Sequence, residues 1–164
     1  MVAAKRRPTD EDSREAVRLL TEAVGSGRDI FDALDEIRPL HPKNNTFPGE
    51  VFIRVAADAL RLGGVSTDHP MPAEGLVDRY LPECRFRGRD NRKIRYALLA
   101  VAATNGGVEV DLLDEVVYWE TDDFWSYAGF AAIAWIRAVS DQRGLPLGDL
   151  CRQLRDRPAD RIDR

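Results

Sequence analysis

The stretch VYWETDDFWSYAGFAAIAW, residues 117–135, decides the fold class because its second half cannot form a surface helix. From residue 124 to residue 136, apolar side chains reach every face of a helix. A helix of this kind belongs in the interior of a helical protein. The run is too short to cross a bilayer, which needs roughly 20 residues. We therefore predict a buried central helix at about residues 123–142, ended by Gly144.

Three acidic residues, Glu120, Asp122 and Asp123, stand just ahead of this helix, between two tryptophans. Carboxylates beside indole rings can have raised pKa values and act as general acids. Acids in the first turn of a helix also cap free N–H groups and favour the helix dipole. Because the acids do not converge on one point, we interpret them as caps of a helix that starts at Thr121 or Asp122. No catalytic residue is assigned.

The rest of the chain predicts helices around this central one. Residues 93–104, KIRYALLAVAAT, are apolar on nearly every face and predict the second helix of a central pair. Amphipathic spacing predicts further helices at the segments that follow: 9–24, 30–39, 50–62, 76–81 and 146–154.

One segment, residues 108–118, stays open between helix and strand, with a helix capped by Asp111 favoured. The predicted fold is all-α: a single compact domain of seven or eight helices over residues 9–156. A flexible arm, residues 1–8, precedes this domain, and a frayed tail, residues 157–164, follows it.

Composition limits the class of protein. A hydrophobic fraction of 44% and a charged fraction of 32% are typical of a globular chain rather than a disordered one. The net charge of −4 argues against general affinity for nucleic acid. The N-terminus lacks the apolar stretch of a secretory signal, and two cysteines, Cys84 and Cys151, make no disulfide framework. We expect a cytoplasmic protein with free thiols and no membrane association.

The strongest local charge lies in CRFRGRDNRKIR, residues 84–95. Six basic residues and one acidic residue give this segment a net charge of +5 in an acidic protein. Arginines on a loop before a helix can bind phosphate groups bidentately. The candidate phosphate- or nucleic-acid-binding residues are Arg85, Arg87, Arg89, Arg92 and Lys93. The alternative is a solvated loop, or arginines that pair with the protein's own carboxylates.

Metal and cofactor chemistry has weak support in the sequence. The only histidines, His41 and His69, lie in proline-containing loops without the spacing of a zinc site. No nucleophile elbow or glycine-rich phosphate loop is present. We predict no metal site and no cofactor.

Three functions remain as hypotheses. The first is a non-catalytic interaction module that binds a protein partner through complementary charge and can also self-associate. The second is a phosphate- or nucleic-acid-binding regulator that uses the arginine-rich loop 85–95. The third is an enzyme whose pocket is formed by the loops 41–48, 66–72 and 120–123, because long loops often carry such sites.

Overall fold

The computed structural model describes residues 10–26, 47–66, 68–72, 75–81 and 124–156. These residues contain the helices α1 (Asp10–Ser26), α2 (Phe47–Leu62), α3 (Leu76–Tyr80), α4 (Phe124–Arg143) and α5 (Leu147–Asp156). Because the described residues are mostly helical and include no strand, the all-α class is confirmed.

Several predicted elements lie outside the described residues. They are the helices at 30–39 and 93–104, the ambiguous segment 108–118, the arm 1–8 and the tail 157–164. The described part of the chain has five helices, so the predicted total of seven or eight stays a prediction.

Helix α4 is the buried helix that its apolar run predicts. Every residue from Ala128 to Ile136 is buried, and Trp135 is fully inside the protein. The helix begins at Phe124 and ends at Arg143, within two residues of the predicted bounds. The acids proposed as its caps, at positions 120, 122 and 123, lie outside the described residues.

Helix α2 is buried more completely than its sequence pattern predicts. Ile53, Ala57 and Leu60 are buried in addition to the inner face that helical spacing predicts. That face, which is also buried, consists of Val51, Phe52, Val55, Ala56 and Ala59. Only Arg54 and Asp58 between residues 51 and 60 are half-exposed. Within the described residues, α2 is therefore the central partner of α4.

The start of α2 corrects the predicted loop 41–48. Phe47 and Pro48 belong to the helix, which begins three residues before the predicted start at residue 50. Proline at the second position of a helix is tolerated because that N–H has no acceptor within the helix. Pro48 therefore marks the start of a helix, although its polar surroundings predict a loop.

Helices α1 and α5 cover the central pair with narrow apolar stripes. In α1 the buried residues are Ala16, Leu20, Thr21, Ala23 and Val24; Val17, which also belongs to the predicted stripe, is half-buried. In α5 the buried residues are Leu150, Cys151 and Leu154, whereas Leu147, the first residue of the predicted stripe, is half-buried. Helix α1 ends at Ser26, between Gly25 and Gly27, the two glycines that the sequence predicts as its stop.

Two glycines end helices with left-handed backbone. Gly64 has φ +70°, and the N–H groups of Gly64 and Val65 donate to the carbonyls of Arg61 and Leu60 at 3.0 and 2.9 Å. This pair of bonds is a Schellman motif, in which glycine avoids the steric cost of positive φ. Gly144, with φ +68°, ends α4 as predicted.

The four longer helices form one packed unit. Each of α1, α2, α4 and α5 packs against the other three, whereas α3 packs mainly against α4 among the described helices. We call the four longer helices the helical core of the described structure. No described helix has both the length and the apolar character needed to cross a bilayer.

Candidate functional site

Polar side chains from two helices meet where α3 packs on the end of α4. We call the group Arg79, Tyr80, Arg137, Asp141 and Gln142 the α3–α4 polar cluster. The Tyr80 hydroxyl donates to Asp141 Oδ2 at 2.8 Å and accepts from Gln142 Nε2 at 3.1 Å. Arg79 Nη2 donates to the same Asp141 oxygen at 3.1 Å. The cluster therefore joins residues about 60 positions apart in the sequence.

Two arginines in the same part of α4 also donate hydrogen bonds to backbone carbonyls, one in α3 and one in the loop after α2. Arg137 Nη1 donates to the Tyr80 carbonyl at 2.8 Å, at the C-terminal end of α3. Arg143 Nη2 donates to the His69 carbonyl at 3.2 Å. Cations that donate to carbonyls at a helix end satisfy acceptors that have no partner within the helix.

The chemistry of this cluster is structural. Asp141 Oδ2 accepts two hydrogen bonds, and Tyr80 is only 8% exposed. Arg79 Cζ lies 5.3 Å from the Tyr80 ring centroid, within the range of a cation–π contact. Each group is engaged in holding α3, so the cluster works as a clamp between the two helices.

The outward face of α1 is the second polar feature. Arg18 donates to Glu15 Oε2 at 2.9 Å through Nε and to Glu22 Oε1 at 2.7 Å through Nη1. The Arg18 hydrogen bond lowers the pKa of Glu15, and the two glutamates raise the pKa of Arg18. These side chains are well exposed, so solvent screens the pairs and limits their contribution to stability.

The charge of α1 is unbalanced in spite of these pairs. Its 17 residues include five acidic and two basic side chains, so the helix carries a net charge of −3. Glu11, Arg14, Arg18 and Glu22 are exposed and follow one another at helical spacing. Because the apolar stripe faces the core, this charged face points toward solvent.

Two residues singled out by the sequence have ordinary surroundings. Cys151 is a free thiol, only 4% exposed, and burial raises its pKa, with Arg155 acting in the opposite direction. A raised pKa suppresses the reactive thiolate, so Cys151 serves as a small core residue. His69 is exposed in the loop after α2, where its backbone N–H donates to Ser66 Oγ at 3.2 Å. Within the described ranges, no group of three or more potential ligands could hold a metal ion.

The other predicted site residues lie outside the described residues. This applies to Arg85, Arg87, Arg89, Arg92 and Lys93, and also to Cys84 and His41. Phosphate or nucleic-acid binding by the arginine-rich loop therefore stays a prediction.

Of the loops proposed to form an enzyme pocket, only 66–72 is largely described. It is non-helical, as predicted, with Met71 buried and the other described positions exposed. Residues 120–123 and most of 41–48 are outside the described residues. An enzyme pocket formed by the three loops therefore stays a prediction.

Two buried nitrogen atoms have no hydrogen-bond partner in the described structure. They are Nε of Arg54 in α2 and Nε1 of Trp135 in α4. An unsatisfied buried donor typically costs about 1–3 kcal/mol. Trp135 therefore stabilises the core through its apolar ring rather than through its N–H.

Sequence reasoning missed the α3–α4 polar cluster. The spacing at residues 76–81 predicts only an amphipathic helix that includes Tyr80, and it predicts no polar partner for that residue. The available signal was the change from apolar to polar side chains at residues 140–143. Such a change shows where a helix meets a polar environment, but it does not identify a partner 61 residues away.

Comparison of the chain with protein-family models, curated proteins and solved structures finds no match.

Proposed function

We propose that this protein is a non-catalytic helical interaction module that binds a protein partner through complementary charge, with a second copy of the chain as the first partner to test. The observation that carries the proposal is the solvent-facing side of α1, a helix of net charge −3. The same chain contains a segment of opposite charge, residues 84–95, at +5. Opposite charges on two surfaces steer association and set its specificity.

Described side chains that could act in catalysis have structural contacts instead, and this supports a non-catalytic role. Tyr80 and Asp141 are engaged with each other, and Cys151 is buried with a raised pKa. In contrast, Glu15, Arg18 and Glu22 pair with one another along the outer side of α1, and Glu11 and Arg14 are exposed. A solvent-facing charged helix is available to a partner without rearrangement of the core.

The test is charge reversal followed by mixing. One variant carries Glu11→Arg and Glu22→Arg, and the other carries Arg85→Glu and Arg87→Glu. Light scattering after size exclusion would measure molar mass over a concentration series at low and at physiological salt. We expect the wild type to associate more strongly at low salt and each variant to associate less. An equimolar mixture of the two variants should restore association, because the reversed charges are again complementary.

A matched control separates this surface from net charge alone. Asp68→Arg with Asp156→Arg changes the charge by the same amount at two other exposed positions. This control should associate like the wild type. A wild type that stays monomeric at every concentration, or a mixture that does not recover association, would contradict binding to a second copy.

The proposal includes the finer points of the fold. Residues 9–156 form one domain of seven or eight helices, with the further helices in 30–39, 93–104 and 108–118. The protein acts in the cytoplasm. Helical periodicity in those segments supports the further helices, and two cysteines without the spacing of a disulfide framework are typical of a protein in a reducing compartment.

The arginine-rich loop supports a second candidate, a phosphate- or nucleic-acid-binding regulator. Its +5 charge is the observation in its favour. The interaction module and this regulator use the same arginines but differ in the ligand, so a nucleic-acid binding assay distinguishes them.

A further inference from the structure

Helix α3 is attached to the described structure differently from the other helices. The helices of the helical core each pack on three others, whereas α3, with five residues, packs mainly on α4. Among the described helices, α3 is thus held mainly by α4, and an element with few packing partners can separate while the remaining packing is kept.

A glycine precedes α3, and the helix itself is short. Gly75, with φ +74°, lies directly before α3, and its carbonyl accepts the Arg79 N–H at 3.0 Å. A helix this short has little stability of its own, because nucleation is costly and few hydrogen bonds follow it. Within the described structure it is therefore held mainly by its contacts with α4.

Those contacts combine apolar anchors with the α3–α4 polar cluster. Leu76 and Leu81 are 2% and 1% exposed. The polar contacts are unequal in strength. The Arg79–Asp141 pair is exposed, with side chains 66% and 52% accessible, and pairs of this kind contribute little. The bond from the part-buried Tyr80 hydroxyl to the charged Asp141 carboxylate belongs to a stronger class.

We propose that residues 75–81 are a latched arm that detaches from α4 as one unit while the helical core stays folded, and that the Tyr80–Asp141 hydrogen bond is the latch. Detachment uncovers Leu76 and Leu81 on the arm together with the facing surface of α4. The arm is thus a conformational device that changes the apolar surface the protein displays. This inference does not depend on the proposed function.

Native-state hydrogen exchange of the wild type is the first test. Amides of residues 76–81 should exchange through an opening that needs less free energy than global unfolding. Amides of residues 128–139 should exchange only by global unfolding. Low concentrations of urea should accelerate the exchange of residues 128–139 more than that of residues 76–81, because global unfolding exposes more surface than detachment of the arm does. Equal protection and equal urea dependence in both groups would overturn the proposal.

Two variants then test the latch. Tyr80→Phe keeps the buried ring and removes the hydroxyl, and Asp141→Asn removes the charge. Tyr80→Phe removes the hydrogen bond, and Asp141→Asn leaves only a weaker bond to a neutral acceptor. Each should accelerate exchange of residues 76–81, Tyr80→Phe by about tenfold or more. Exchange in residues 51–60 and 128–139 should not change.

The control is Asp149→Asn, which affects the Asp149–Arg152 pair in α5. Asp149 is 49% accessible, close to the 52% of Asp141, so the two substitutions are matched in exposure. The control should leave exchange of residues 76–81 unchanged. Equal acceleration of all helices by the latch variants, or no acceleration of residues 76–81, would refute the latch.

Discussion

At the scale of single residues, Gly63 has a role that its sequence context hides. It follows α2 beside Gly64 and looks like a second helix stop. A Cβ built on Gly63 would lie 2.7 Å from Val139 Cγ1 and 3.4 Å from Arg143 Cγ. The first distance is well below van der Waals contact, so the missing side chain lets the end of α2 approach α4.

Gly63→Ala should therefore destabilise the protein, although alanine is otherwise the better residue near a helix end. Overpacking a close contact typically costs about 1–3 kcal/mol, and the backbone gain from glycine to alanine is at most about 1 kcal/mol. We expect a net loss of about 1 kcal/mol in the free energy of unfolding. Urea denaturation followed by circular dichroism would measure it.

Gly148→Ala is the matched control for that substitution. Gly148 lies within α5, and a Cβ there meets no atom within 4 Å. The variant should be as stable as the wild type or more stable by up to about 1 kcal/mol. A Gly63→Ala protein that gains stability to the same extent would show that α2 and α4 do not depend on this close approach.

At the scale of elements, α1 shows which of its two faces holds the helix in place. Its buried face includes Leu20, which is 0% exposed, and its outer face carries the Glu15–Arg18–Glu22 pairs. Burial of a leucine side chain stabilises a fold by about 1.5–3 kcal/mol, whereas exposed ion pairs are screened by water and salt. The apolar stripe therefore determines the position of α1.

Leu20→Ala should lower the free energy of unfolding by about 2–5 kcal/mol, because it removes core contacts and leaves a cavity. Arg18→Ala, two positions away, should leave the urea midpoint nearly unchanged. The two variants compared in one denaturation series, with unchanged m-values, would check this difference. Equal destabilisation by both substitutions would mean that the surface pairs anchor the helix after all.

At the scale of the whole molecule, the balance of charge separates the proposed functions. The chain has a net charge of −4, so it repels polyanions at long range except around its basic segment. Nucleic acid binding would need the arginine-rich loop to overcome this repulsion. Binding to a protein surface of mixed charge would not.

We expect no binding of labelled duplex DNA, single-stranded DNA or RNA, even at low salt, in fluorescence polarisation. The comparison is a variant with Arg85, Arg87, Arg89 and Arg92 changed to alanine. Binding in the micromolar range or tighter that weakens with salt and disappears in this variant would favour the regulator over the interaction module. A control variant has the same net charge as this one, because four exposed arginines elsewhere are changed to alanine. They are Arg14, Arg18, Arg152 and Arg155.

Local patterns predicted much of the described fold. The apolar run of α4, the stripes of α1 and α5, and the stop at Gly144 all follow from residues near one another in the sequence. The reason is physical: helix periodicity, capping and positive φ depend on a few neighbouring residues. The sequence by itself therefore determined the all-α class and the burial of α4.

Only the tertiary structure decided which surfaces meet. The burial of Ile53 and Ala57 depends on helices that cover α2 from several sides, and the requirement for Gly63 depends on Val139. The bond between Tyr80 and Asp141 joins residues 61 positions apart. Contacts of this kind arise from the packing of whole helices, and no short-range pattern encodes which distant side chain will face a given residue.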